Sequence, residues 1–249
     1  MVHRQQLDAS LQALLRPELF KDYGPNGLQV EGAGEVCHLV SGVTASLACI
    51  EAAIAAGADA LLVHHGLFWR GQDGRLTGWL ATRVRRLMAA GVNLFAYHLP
   101  LDAHAELGNN AQLGLRLQLR ADARFGEQDL GFIGAAALHG TLDALAGAAR
   151  AALQRDIVVI PGDGRPLRRV AWCTGGAQGY FEPAIAAGAD AFLTGEISEP
   201  QAHLARETGV AFLACGHHAS ERFGAAAVAA HVAAQLGLRH THIEIENPA

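Results

Sequence analysis

The chain has 249 residues, 51% of them hydrophobic and 17% charged, a composition that supports a large folded core and argues against intrinsic disorder. The formal net charge of −5 argues against a nonspecific nucleic-acid or membrane surface, since either needs clustered basic residues. No signal peptide or membrane-spanning apolar stretch is visible, and the four cysteines form no Cys-x-x-Cys pair. We therefore expect a cytoplasmic protein with free thiols.

The first part of the chain alternates predicted strands with predicted helices. β-branched residues favour a strand at 36–44, and the short apolar run at 59–63 is typical of a strand covered on both faces. Helical periodicity predicts a helix at 46–56 that ends at Gly57, a residue suited to the position after a helix. The remaining elements are a predicted helix at 80–90 and a predicted strand at 92–98.

The last part of the chain repeats this order. Its predicted strands lie at 169–173, 191–194 and 210–215, and its predicted helices lie at 182–187 and 201–207. Strands and helices that alternate in this way favour a largely parallel sheet. Between the two parts, residues 121–167 form a connector with a weaker pattern, for which we predict a helix at 142–154 and a turn at 161–166.

One octapeptide, Ala-Ile-Ala-Ala-Gly-Ala-Asp-Ala, occurs twice, at residues 53–60 and 184–191. Low complexity could repeat an alanine-rich peptide, but the similar flanking segments favour an internal duplication, and two copies are too few for a solenoid. We predict an α/β fold of two pseudo-repeated βαβ-type halves, about 36–120 and 168–249. With the connector they would form one unit over residues 1–249.

Histidines and carboxylates follow three of the predicted strands. They are the pair His64 and His65, then His98 with Asp102 four residues later, and His217 with Glu221 four residues later. In open α/β sheets, functional groups gather where strands end at their carboxyl edge. The two His-x-x-x-acid patterns occupy matching places in the two halves, so the duplication would bring a second set of ligands to a shared site.

Imidazole and carboxylate ligands without a thiolate suit Zn, Fe or Mn, and the sequence does not choose among these metals. Adjacent side chains on an extended strand point to opposite sides, so His64 and His65 favour two neighbouring ions unless the chain bends. Glu221 could bridge the ions, and Asp102 could close the other side. A lone histidine at a strand end is more often a packing residue, but the repeated combination favours a site for two divalent ions.

Four segments together resemble a known family, the NIF-three-like dinuclear-metal proteins, also called GTP cyclohydrolase 1 type 2 homologues. The segments are residues 23–32 (YGPNGLQVEG), 63–69 (VHHGLFW), 98–112 (HLPLDAHAELGNNAQ) and 216–221 (GHHASE). The resemblance extends over essentially the whole chain. It is closest to the short bacterial members, which lack an inserted domain between the halves.

The resemblance implies a ligand set and an assembly. Matched residue by residue, the metal ligands of the family fall on His64, His65, Asp102, His217 and Glu221. His98 matches a further ligand or a residue that supports one. A Gly-Glu pair of the family matches Gly195 and Glu196, which implies that Glu196 lies near the site as a candidate catalytic residue, a proton shuttle or a support for a ligand. The alternative for Glu196 is a charge at a helix N-terminus. Family members form toroidal homohexamers, and we expect the same here.

Two functions fit such a centre. The first is a metal-dependent hydrolase acting on a small-molecule substrate that the sequence does not identify. The family label suggests GTP, but the chain has no GxxxxGK[ST] phosphate loop. The second is a non-catalytic metal carrier or a ring-shaped regulatory scaffold. An open coordination position on the metal would favour the enzyme over the carrier.

Overall fold

A computed structural model describes residues 1–249. The strands are β1 (Val2–His3), β2 (Gly27–Val30), β3 (Glu35–Val36), β4 (His38–Thr44), β5 (Ala60–His65), β6 (Asn93–Ala96), β7 (Arg120–Phe125), β8 (Gly131–Ala135), β9 (Val158–Ile160), β10 (Arg169–Trp172), β11 (Ala191–Thr194), β12 (Ala211–Ala214) and β13 (Arg239–His242). The α-helices are α1 (Arg4–Leu15), α2 (Leu47–Ala55), α3 (Gly78–Ala90), α4 (Leu99–Ala103), α5 (Asn109–Arg116), α6 (Leu142–Leu153), α7 (Phe181–Ala186), α8 (Glu199–Thr208), α9 (His217–Ser220) and α10 (Gly224–Leu236). None of these helices is both long enough and apolar enough to cross a bilayer.

The chain divides into two compact units. Unit 1 comprises Met1–Gly108 and Gly224–Glu246, and unit 2 comprises Asn109–Phe223 and Asn247–Ala249. The predicted α/β class with two βαβ-type halves is confirmed, but the boundaries of the units differ from those of the repeats. The predicted connector at 121–167 lies inside unit 2, and α10 and β13, from the second predicted half, belong to unit 1.

Unit 1 contains a five-stranded sheet with the order β13-β4-β5-β6-β2. The first four strands are parallel, and β2 pairs antiparallel with β6 at one edge. Neighbouring residues of each central strand are buried on opposite faces. Leu39, Leu62 and Phe95 pack against α1 and α10, whereas the other face packs against α2 and α3. Helices therefore cover both faces, which explains the uninterrupted apolar runs in these strands.

Unit 2 contains a six-stranded sheet with the order β7-β8-β10-β11-β12-β9. Its three central strands, β10 to β12, are parallel, while β7, β8 and β9 pair antiparallel on either side. The sequence predicted a largely parallel sheet, and each unit contains a sheet whose central strands are parallel. The antiparallel strands come from residues of the predicted connector, whose weak alternation left them undetected. The helix predicted there is confirmed as α6.

The repeated octapeptide forms the same local structure in both units. It starts in a helix, passes a glycine with positive φ (Gly57, +71°; Gly188, +84°) and ends at the first residue of the middle parallel strand. In each copy the aspartate accepts two backbone N–H bonds, from the first residue of the neighbouring strand and from the residue before it. Asp59 Oδ2 makes these bonds at 2.8 and 2.9 Å, and Asp190 Oδ2 makes them at 2.8 and 3.0 Å. This equivalence supports the duplication.

We expect the Asp190→Ala substitution to lower the free energy of unfolding by about 1–3 kcal/mol, because it removes the acceptor of two backbone N–H groups. Urea unfolding measures the effect. Asp190→Asn, which keeps one carbonyl oxygen, should lose less. Asp156→Ala removes an exposed carboxylate from the same unit and serves as the control. Equal losses of unfolding free energy in Asp190→Ala and Asp156→Ala would contradict a stabilising role for the two hydrogen bonds to Asp190.

Candidate metal centre

In unit 1, the four predicted ligands lie at the carboxyl ends of two adjacent parallel strands. His64 and His65 are the last two residues of β5, and His98 follows β6 by two residues. Asp102 lies in α4, the short helix that begins directly after His98. His64 is fully buried and Asp102 is nearly so. The parallel pairing of β5 with β6 is what brings the two chain segments together.

The three imidazoles of this set converge. One ligand atom from each of His64, His65 and His98 lies within 4.8 Å of the other two. The ring centroids of His64 and His65 are 4.5 Å apart, so these rings approach each other instead of pointing to opposite sides of the sheet. Both residues lie at the end of β5, and the strand ends directly before Gly66. His64 Nε2 lies 3.6 Å from Asp102 Oδ1.

Each of these rings has its Nδ1 atom engaged by a different oxygen. His64 Nδ1 donates to the carbonyl oxygen of Tyr97 at 3.1 Å, and His65 Nδ1 lies 3.0 Å from Thr44 Oγ1. His98 Nδ1 lies 2.7 Å from Asp22 Oδ1. Nε2 is therefore the nitrogen with which each ring would coordinate an ion. A bond from the other ring nitrogen to an oxygen is the usual support of a metal-binding histidine.

Unit 2 carries the other predicted residues on a similar framework. Glu196 follows β11 by two residues, His217 opens α9 shortly after β12, and Glu221 comes directly after α9. His217 Nδ1 lies 2.6 Å from Glu196 Oε1, and His217 Nε2 lies 3.2 Å from Glu221 Oε2. His217 therefore shows the same pattern, with Nδ1 held by an oxygen and Nε2 directed to a carboxylate.

The carboxylates around His217 change its proton affinity. The hydrogen bond to Glu221 raises the pKa of His217, and burial opposes this effect. The charge of Glu221 and the hydrogen bond and charge of Glu196 raise it further, so that the pKa of His217 is about 9. The pKa of Asp22 in unit 1 is shifted in the opposite direction. Burial would raise its pKa, but the hydrogen bonds from His98, Asn26 and the Leu99 N–H outweigh that effect and lower it.

A glycine makes room for Glu221. Gly175 follows β10 with φ of +70°, and a Cβ atom at this position would lie 2.0 Å from Glu221 Oε1. Any other residue would therefore be strained in its backbone and would displace the carboxylate. The positive φ and the close approach together require glycine at the carboxyl end of this strand.

Sequence reasoning identified the histidines and their carboxylates but missed two of the residues that hold them, Asp22 and Thr44. Asp22 is 76 residues from His98 along the chain, and no spacing pattern connects them. Thr44 ends β4, the strand beside β5, and a polar residue at that strand end was the available signal.

The donor atoms suit a divalent transition metal. Each unit offers imidazole nitrogens next to a carboxylate, with no cysteine sulfur among them. Imidazole with carboxylate is the ligand combination of Zn, Mn and non-haem Fe sites. The near-complete burial of His64, Asp102 and Glu221 also fits, because buried charged groups need a metal or a partner.

Comparison with known proteins gives the same family throughout. The family model described as Duf34/NIF3 (NGG1p interacting factor 3) matches residues 2–248. A protein of Neisseria meningitidis serogroup A, named GTP cyclohydrolase 1 type 2 homolog, is 50% identical over 249 residues, which is the full length of both chains. A solved structure described as the structural genomics protein ybgI, of unknown function, has a TM-score of 0.96 at 41% identity over all of both chains. The structure of TTHA1606 from Thermus thermophilus has a TM-score of 0.88 at 31% identity, also over all of both chains. The chain thus belongs to the DUF34/NIF3 family.

Proposed function

We propose that the chain binds two divalent metal ions and uses them to hydrolyse a small-molecule substrate. The ligands in this proposal are His64, His65 and Asp102 from unit 1 and His217 and Glu221 from unit 2, with His98 as a sixth. The observation that carries the proposal is the convergence of His64, His65 and His98, of which one ligand atom each lies within 4.8 Å of the other two. In these three rings and in that of His217, Nδ1 is bonded to or faces an oxygen. An oxygen at Nδ1 is the usual support of a metal-binding histidine, and three such rings that converge beside the Asp102 carboxylate suit a divalent ion.

Two metal ions held by these residues would activate water and polarise a carbonyl or phosphoryl oxygen of the substrate. The side chains of the protein would supply orientation and proton transfer. Glu196 is suited to the second task, since its side chain is 45% exposed and one of its oxygens lies 2.6 Å from His217 Nδ1. Its other oxygen accepts a hydrogen bond from Gln178 at 3.3 Å, which fixes the carboxylate.

The proposal does not assign a particular substrate. Relatives are named GTP cyclohydrolase 1 type 2 homolog, which makes GTP one compound to test. The chain lacks the glycine-rich phosphate loop that would favour a nucleotide in particular. We therefore propose metal-dependent hydrolysis as the reaction class, and a panel of substrates is needed to identify the compound.

The first test is metal analysis of the purified protein, followed by a hydrolase panel of phosphate esters, amides, cyclic amidines and GTP. We expect bound metal, turnover of at least one class, and a loss of about 100-fold or more in Glu221→Gln, because the amide no longer supplies an anionic ligand. Glu199→Gln, an exposed change on α8, is the matched control. Stoichiometric metal without turnover would favour the carrier, and absence of metal would contradict the proposal.

A further inference from the structure

The loop before β2 is part of a motif to which the proposed function assigns no role. It contains Asp22 and Asn26, and it approaches the chain where β6 leads into α4. Asp22 Oδ1 accepts a bond from His98 Nδ1 at 2.7 Å, and Asp22 Oδ2 accepts one from the backbone N–H of Leu99 at 2.8 Å. Asn26 Oδ1 accepts a bond from the backbone N–H of His98 at 2.7 Å. This loop therefore holds both the ring and the main chain of His98.

All the acceptor positions of Asp22 are used by the protein itself. Beyond His98 and Leu99, the carboxylate accepts bonds from the backbone N–H of Tyr23 at 2.6 Å and from the Asn26 side-chain amide at 2.9 Å. A carboxylate has about four lone-pair sites, and these four donors occupy them. The side chain is 3% exposed. Asp22 is thus placed to hold other residues and not to bind an ion or a substrate directly.

Through its bond to the Leu99 N–H, Asp22 also helps to position Asp102. Leu99 is the first residue of α4, and Asp102 lies in the same short helix, three residues later. α4 has five residues, so its direction depends strongly on how its first turn is fixed. Asp22 fixes that turn from the same carboxylate that holds the His98 ring.

We propose that Asp22 is the positioning carboxylate of the ligand set in unit 1. It sets the proton of the His98 ring on Nδ1, which leaves Nε2 as a lone-pair donor, and it anchors the helix that carries Asp102. Asn26 assists by holding the main chain at His98. The consequence for metal binding rests on the proposed metal function, whereas the state of the His98 ring does not.

The Asp22→Asn substitution separates charge from shape. An asparagine has the size of the aspartate, but one oxygen becomes an NH₂ group. If this NH₂ group replaces Oδ1, it faces His98 Nδ1. If it replaces Oδ2, it faces the backbone N–H of Leu99. In either case a carboxylate acceptor is lost, and an NH₂ group facing Nδ1 would favour the opposite ring tautomer, with the proton on Nε2. A proton on Nε2 opposes coordination there.

The direct test is ¹⁵N NMR of the histidine rings in the metal-free protein, with the His98 signals assigned through His98→Gln. We expect the wild type to show a protonated Nδ1 and an unprotonated Nε2 for His98, and Asp22→Asn to lose that state. Asp73→Asn, an exposed carboxylate paired with Arg75 in the same unit, should leave the His98 signals unchanged. The same His98 tautomer in wild type and Asp22→Asn would overturn the proposal.

The second test is a competition titration with Zn²⁺ and a chelator, supported by the visible spectrum of the Co²⁺ form. We expect Asp22→Asn to weaken binding about 10–100-fold and to alter the Co²⁺ spectrum, as for other residues that support a ligand. In a His98→Gln background the same change should have a smaller effect, because part of its action passes through His98. Equal effects in both backgrounds, or an unchanged affinity, would overturn the positioning role. Absence of Zn²⁺ binding by the wild type would contradict the proposed function and would leave the NMR test to decide the role of Asp22.

Discussion

Purified His65→Ala and Glu221→Ala proteins should contain at most about one metal ion per chain, against two in the wild type. Loss of a supporting residue typically weakens metal binding 10–100-fold, and loss of a direct ligand should weaken it by at least about 100-fold. The two residues come from different units, so a loss of metal in both variants would show that each ligand set takes part in metal binding.

The assembly and a control variant distinguish ligand loss from misfolding. We expect both variants to assemble like the wild type, for which the family resemblance implies a homohexamer, and native mass spectrometry measures this. His203→Ala removes an exposed histidine of α8 that pairs with Glu199 and should keep the full metal content. Retention of two ions per chain in both His65→Ala and Glu221→Ala would contradict the ligand assignment.

Metal affinity should rise steeply with pH between about 7 and 9. In the metal-free protein the pKa of His217 is raised to about 9, so the ring is protonated at neutral pH and a metal must displace this proton. Below the raised pKa, each unit of pH should therefore increase the apparent association constant about tenfold, and above it this contribution should level off. The ordinary histidine pKa of about 6.5 would place the plateau near neutrality instead.

Calorimetry in buffers of different ionisation enthalpy measures the protons released on Zn²⁺ binding. Near pH 8 we expect about one proton per chain from His217. Glu196→Gln removes one of the causes of the raised pKa, so the rise in affinity should end at a lower pH in this variant. Glu182→Gln, a change of the same kind elsewhere in unit 2, is the control. An affinity that does not vary from pH 7 to 9 in the wild type would rule out a protonated His217.

The parts of the fold that the sequence predicted are those with strong local signals. The strands around residues 59–63 and 191–194 are short apolar runs between a glycine turn and a polar cluster, and the structure confirms them as β5 and β11. The helix boundary at Gly57 was predictable because only a few residues adopt its positive φ. The candidate ligands were recognisable because each lies shortly after a predicted strand and because the His-x-x-x-acid pattern occurs in both halves.

The rest depends on pairing between distant segments, which local patterns do not encode. The edge strand β9 has three residues, and its partner β12 begins 51 residues later. Asp22 illustrates the same limit at the site, because a single aspartate in a polar loop gives no sign that it faces a histidine 76 residues away. The candidate ligands lie in short sequence motifs, whereas the residues that orient them are distant in the sequence and are brought close by the fold.

The discontinuous composition of unit 1 has a consequence for synthesis on the ribosome. The residues of unit 2 up to Phe223 form an unbroken stretch and can fold as soon as they emerge. The sheet of unit 1 is made earlier, but its face at Leu39, Leu62 and Phe95 is covered by α10, which is translated only after that stretch. During translation this apolar face therefore lacks part of its cover, which makes it a surface that a chaperone bound to the nascent chain would recognise.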